Sequence, residues 1–191
     1  HSSYDKNLPA KGKTMQQLIQ YLRTKYALGV HPSYASKLED GSLQKEIAIV
    51  QSTKSRQHYI KMKLPLTYQN LIECGITEDY TMGYGSRNGF RASTSFPHTW
   101  FNIRSNEPTS LELFPFCFME CNSFYEQKQN VETSEKELAY FIRTVNEVGG
   151  YLITIWHNFS LGTDKQWAGW REMYERSVQH IQVKTMEGTA N

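Results

Sequence analysis

Apolar residues recur along this chain at helical spacing, and each such stretch runs into a short strand-like segment that ends in a polar residue. In residues 14–27, Met15, Leu18, Ile19, Leu22 and Tyr26 make one apolar stripe, which predicts an amphipathic helix. Leu28-Gly29-Val30-His31-Pro32 follows at once, a short apolar run with a polar end. Helix, short strand and polar strand end make half of a βα repeat. Residues 38–50 repeat the helical pattern through Leu43, Ile47 and Val50, with Gly41 weakening the start. Residues 56–60 are strand-like, and residues 66–74 predict a helix that opens after Pro65 and is stopped by Gly75. A short strand is expected over 79–82. Residues 83–95, rich in Gly, Ser, Arg and Asn, predict a long loop of the kind that is often functional.

The second half continues in the same way. Residues 111–119 predict a buried strand. Ser134 with Glu137 makes a capping box ahead of the apolar face Leu138, Phe141, Ile142, Val145 and Val148, and Gly149-Gly150 closes that helix. Residues 151–156 form a continuous apolar run, as expected of a strand covered on both faces, and it ends in His157-Asn158. Asp164 is placed to cap a last helix carrying Trp167, Trp170, Met173, Tyr174 and Ile181. The alternation predicts an α/β fold, a parallel sheet wrapped by helices, open or closed into a barrel, and a single domain over 1–191. In such folds the site lies at the carboxyl ends of the strands. His31, Tyr59 and His157 all end or follow such a run.

Composition narrows the function classes. The chain has 191 residues, 39% hydrophobic and 13% aromatic, enough for a packed core. Its 21 basic and 19 acidic residues give a formal net charge of +2, spread along the chain, which gives no support to nucleic-acid binding. The longest apolar run falls far short of the ~20 residues needed to span a bilayer. Cys74, Cys117 and Cys121 are odd in number and lack CxxC spacing, so reduced thiols in a reducing, cytoplasmic compartment are expected. Asn158-Phe159-Ser160 matches the glycosylation sequon, which has no use in such a compartment.

Four constellations carry candidate chemistry. Gly29-Val30-His31-Pro32-Ser33-Tyr34 puts an imidazole at a strand end with its exit path fixed by proline, as a ligand or proton carrier or as a hydrogen-bonded structural histidine. Ser55-Arg56-Gln57-His58-Tyr59, taken as a strand, puts Arg56 and His58 on one face and Gln57 and Tyr59 on the other. An inward Arg needs a carboxylate or ligand, whereas an exposed edge strand would leave these side chains in water. Gly89-Phe90-Arg91-Ala92-Ser93-Thr94 adds a second arginine, in the site or on the loop surface. Ile155-Trp156-His157-Asn158 is the strongest signal: a histidine at the mouth of a buried strand, beside a tryptophan that can shield it, is suited to general acid or base work near neutral pH. The structural alternative stays open there too. The aromatic residues of the tail, at helical spacing, are expected to be core.

In their order and spacing, the segments GVHPSY, SRQHY, GFRAST and WHN resemble the polysaccharide deacetylase (carbohydrate esterase) superfamily, and more closely a bacterial branch of it. The resemblance runs from about Asp5 to His180. It implies an incomplete seven-stranded (β/α) barrel and hydrolysis of an acetyl group on a sugar, assisted by zinc or a similar divalent metal. Carried over, it implies that His31 is the first metal histidine. Arg56 orients the catalytic base, the backbone of Tyr59 helps form the oxyanion hole, and His157 is the acid. Arg91 accompanies the site, and Tyr34, His58, Trp156 and Asn158 would face the substrate. The family's second metal histidine corresponds to Ala35 here, and His58 could take its place. The family's first motif, a strand ending in paired aspartates, has no counterpart, because Asp5 follows no apolar strand. The chain is therefore expected to be the C-terminal part of a longer protein, lacking the first βα unit.

Three functions follow as expectations. The chain belongs to a metal-dependent carbohydrate deacetylase, or to a non-catalytic member that binds a carbohydrate (the reading Ala35 favours), or to a structural half-barrel that acts through a partner or self-associates through exposed strand edges.

Overall fold

The computed structural model describes Tyr4, Asp5 and residues 10–187. The chain falls into two compact units, His1–Met82 with Pro97–Phe114, and Gly83–Phe96 with Pro115–Asn191. Both are mixed α/β, with mainly parallel strand pairing. Among the described residues no helix is long and apolar enough to cross a membrane.

The first unit contains helices α1 (Lys13–Arg23), α2 (Ser42–Val50) and α3 (Leu66–Glu73), and strands β1 (Lys54–Ser55), β2 (Glu78–Asp79), β3 (His98–Asn102) and β4 (Glu107–Leu113). The sheet order is β1-β2-β4-β3, parallel except for the antiparallel β3–β4 pair, and Val30 adds a parallel bridge to Ser55. Side-chain alternation sorts the short strands into two faces. Lys54 pairs with Glu78 on one, while Ser55 and Asp79 are buried on the other beside Leu113. The core joins Val30, Leu43, Tyr68, Leu71, Ile76, Leu111 and Leu113.

Several sequence expectations shift here. The first helix ends at Arg23, and none of its residues is fully buried, so its apolar stripe is only partly used. The strand expected over 56–60 lies earlier, at β1. Residues His58–Ile60 instead make one 3-10 turn, with Tyr59 and Ile60 at φ 55° and 53°. The β3 strand was not anticipated. Its His-Thr-Trp-Phe-Asn sequence is largely polar, and it is specified by pairing with β4 rather than by its own periodicity.

The second unit holds β5 (Phe118–Met119), α4 (Val131–Val148), β6 (Thr154–Ile155) and α5 (Trp170–Glu187). β5 and β6 are parallel, with Phe118 opposite Thr154 and Met119 opposite Ile155. Cys117, Phe118, Leu138, Phe141, Ile142, Trp167, Trp170 and Met173 form its core, so the tail aromatics are core as expected. The single strand expected over 111–119 is two, β4 and β5, in different sheets, because 114–117 leaves the ladder around Pro115. The capping box at Ser134 is not formed. Asn130 caps α4 by accepting from the Thr133 N–H, and Ser134 is buried one turn inside, donating to Gln129. Gly149 ends α4 at φ 68°, a conformation that favours glycine. Asp164 caps only the short turn Lys165–Trp167, and α5 begins at Trp170.

The expected loop over 83–95 lacks regular structure but is tied down. Asn88 accepts from the Met119 N–H at 2.9 Å and donates to Ser123 and Glu137, and Gly89 N–H donates to the Cys117 carbonyl at 2.7 Å. Gly83 has no room for a side chain, since a Cβ would stand 2.2 Å from the Phe116 ring.

Two outcomes test this account. Leu111 is fully buried, so Leu111→Ala should cost roughly 2–5 kcal/mol in chemical denaturation. Burial raises the pKa of Asp79 from its ordinary 3.8, against hydrogen bonds from Ser55 and Thr81. A raised carboxyl adds stability that is fully present below 3.8 and is lost as pH rises through the folded value. Asp79→Asn should flatten the pH dependence of stability across that interval.

Candidate functional site

Parallel strands deliver their next residues side by side at their carboxyl ends, and each unit has such an end. In the second unit, Glu120 stands one place past Met119 and His157 two past Ile155, and the two meet just beyond the β5–β6 ladder. The Glu120 side chain is completely buried. Its Oε1 accepts the backbone N–H of His157 at 2.7 Å, His157 Nδ1 at 2.8 Å and the Ser160 hydroxyl at 2.7 Å. Its Oε2 is buried without a hydrogen-bond partner among the described residues. Because Nδ1 donates to a carboxylate, the neutral ring has its acceptor at Nε2. The His157 side chain is 36% exposed, and its ring stacks on Phe159 with centroids 5.1 Å apart.

Cys121 completes this cluster. Its Sγ is 3.4 Å from His157 Nδ1 and 3.8 Å from Glu120 Oε1. Neighbours on a strand point to opposite faces, but Cys121 already has helical backbone angles (φ −64°, ψ −34°), which turns its thiol to the same side as Glu120. Burial and the Glu120 charge push the Cys121 thiol well above its ordinary range. The Cys117 thiol, in the core, is pushed up to about 12 by burial. All three cysteines are unpaired. Among the described residues, the metal-ligating atoms of Glu120, Cys121 and His157 lie within 4.8 Å of one another.

In the first unit the strand ends carry His31, Arg56 and Tyr80, linked by Arg56 N–H to the Val30 carbonyl and Tyr80 N–H to the Ser55 carbonyl. Arg56 Nε donates to the Tyr80 carbonyl at 3.1 Å, and burial lowers its pKa against the opposing charge of Asp79. Asp79 acts on Arg56 through its charge, with no ion pair between the two among the described residues, and its carboxylate is held by Ser55 at 2.7 Å and by Thr81 at 2.8 Å and 3.0 Å. His31 is exposed, and its Nδ1 donates to the Arg56 carbonyl at 2.7 Å. The rings of His31 and His58 meet edge-on with centroids 4.8 Å apart. His58 Nδ1 donates to Asp5 Oδ1 at 3.2 Å, and that oxygen also accepts the Tyr34 N–H at 2.8 Å. The 3-10 turn, rather than a strand, brings His58 here. A cavity of about 250 Å³ opens beside it, lined by Tyr34, Ser36, Gln57, His58 and Lys61 among others. Ser36 Oγ and Gln57 Nε2 are buried there without a partner among the described residues.

The expected residues therefore fall into two groups. Tyr34, Arg56, His58, Tyr59 and His31 share the first unit, where the Tyr59 ring meets those of Tyr34 and His58 and is itself 62% exposed. His157, Trp156, Asn158 and Arg91 belong to the second. Trp156 packs on Phe118 and Tyr174, so Phe159 rather than Trp156 covers the His157 ring. Asn158 is exposed, and Arg91, also exposed, reaches the Gly83 carbonyl at 3.5 Å.

A deacetylase metal at His31 would need a converging donor set. Asp5, His58 and His31 have suitable chemistry, yet they touch in series and do not form a group with all ligand atoms within 4.8 Å among the described residues. The converging set is the one at Glu120. Glu120, Cys121, Ser160 and Asp5 were missed as site residues in the sequence. Glu120 was findable by the rule that flagged His157, since it is the first charged residue after a buried apolar run. Asp5 had no local signal. Comparison with family models, with curated proteins and with solved structures finds no match.

Glu120→Ala removes one acceptor shared by three donors, so it should cost roughly 2–4 kcal/mol in urea unfolding. Nitrogen NMR of the neutral wild-type protein should place the His157 proton on Nδ1, and the variant should show mixed tautomers.

Proposed function

We propose that this chain is a polysaccharide deacetylase-like hydrolase that removes acetyl groups from a sugar or glycan, with His157 as its proton-transfer group. The observation carrying the reading is the buried Glu120 carboxylate bound to Nδ1 of an imidazole whose side chain is partly exposed. Glu120 fixes the tautomer and holds the ring in place. Nε2 can then take a proton from an attacking water and return it to the leaving nitrogen or oxygen of the sugar. The segments GVHPSY, SRQHY, GFRAST and WHN supply the substrate class and the finer fold, an incomplete (β/α) barrel, with which the parallel pairing in both units agrees. Unpaired thiols agree with a cytoplasmic setting. The resemblance implies a zinc-type ion at His31, where the donors do not converge among the described residues, so no step is routed through one.

A second reading, carbohydrate binding without turnover, is favoured by Ala35 and by the cavity beside His58, whose unpartnered Ser36 and Gln57 groups suit a polyhydroxylated ligand.

Acetate release from N-acetylated and O-acetylated oligosaccharides separates the two. His157→Ala should lower the rate by about 10²–10⁴-fold. Because it takes one donor from buried Glu120, it should also cost roughly 1–3 kcal/mol in urea unfolding, far too little to account for the lost rate while the protein stays folded. Saturable glycan binding with no acetate released by the wild-type protein would select the binding reading.

A further inference from the structure

The thiol beside the Glu120–His157 pair has no part in the proposed proton transfer. We propose that Glu120, Cys121 and His157 form a site for a thiophilic divalent cation of the zinc type, and that the bound ion takes Nδ1 of His157 from Glu120. The donors are one carboxylate, one thiolate and one imidazole, three protein ligands that leave a fourth position for solvent. Ordinary metal–ligand bond lengths in a tetrahedron put such donor atoms about 3.5 Å apart. The two sulfur contacts, 3.4 Å and 3.8 Å, already match that spacing. The 2.8 Å between Nδ1 and Oε1 is a hydrogen bond that must open by a few tenths of an ångström or more.

Two further observations point to a ligand. Glu120 Oε2 is buried without a hydrogen-bond partner among the described residues, a costly state for a carboxylate that a cation held at Oε1 of the same group offsets by its charge. His157 and Cys121 are both partly exposed, which leaves an entry path to the buried carboxylate. Charge also closes: carboxylate, thiolate and neutral imidazole around a divalent ion sum to zero. Sulfur among the donors selects zinc or cobalt over magnesium or calcium. On binding, the thiol proton leaves to solvent, and the imidazole proton moves through solvent from Nδ1 to Nε2. The ring then has no free acceptor, so the ion switches off its acid–base cycle. That consequence rests on the hydrolase reading, whereas the binding site does not.

The test uses the metal alone. Cobalt(II) added to the reduced, metal-free full chain should give a near-ultraviolet thiolate-to-cobalt absorption that saturates at one equivalent. Zinc should displace it, and magnesium and calcium should not. Cys121→Ser should abolish the band, and Glu120→Gln should weaken binding at least about tenfold. With zinc bound, NMR should find the His157 proton on Nε2. The site is overturned if no saturable band forms, or if the band survives in Cys121→Ser, which would assign it to Cys74 or Cys117. A His157 proton that stays on Nδ1 with zinc bound would overturn the displacement. If acetate release is measurable, zinc should slow it in the wild-type protein and lose that effect in Cys121→Ser. A chain without hydrolytic activity would still show the band and the tautomer change.

Discussion

Burying a carboxylate costs several kcal/mol unless donors meet it, and the second unit is organised around meeting Glu120. The β5–β6 pairing brings the His157 backbone to Oε1, the following turn brings Ser160, and the imidazole supplies a third donor. These three donors arrive from the segment after β6, so the carboxylate also fixes how that segment leaves the sheet, while the Cys121 thiol adds a longer contact from its own strand's end. Phe159 and the Trp167 core then pack around the result.

The first unit solves the same problem with the opposite outcome. Asp79 is also a fully buried acid at the end of a parallel strand, but both of its oxygens are used, Oδ1 by the Thr81 N–H and Oδ2 by two hydroxyls. Arg56 lies close enough to feel its charge. Nothing is left over for a ligand, and Asp79 acts as a structural anchor for the strand ends. Glu120 has three donors on one oxygen and none on the other. Two buried acids in matching positions thus divide into one that holds the sheet and one that retains capacity for chemistry.

Cys121 shows how little separates those roles. On a continuing strand its thiol would face away from Glu120, and the pair would be a buried acid and a core cysteine. The early change to helical angles rotates the sulfur into the cluster. A buried acid–imidazole pair thereby gains a third metal-ligating side chain through one residue's backbone conformation.

The amphipathic helices at 42–50, 66–73 and 131–148, the α/β alternation and the polar tips His31, Arg56 and His157 were legible in the sequence, because periodicity and the residue after an apolar run are local properties. So was the aromatic core of the tail. The break of 111–119 into strands of two sheets, the 3-10 turn that carries His58, and the β3 hairpin were decided by pairing with distant segments. The partners of the polar tips were decided in the same way. Asp5 meets His58 across 53 positions, and Glu120 meets His157 across 37. A sequence marks residues that need a partner, but only strand register chooses which one, because the cost of a buried charge is paid between segments that no local pattern connects.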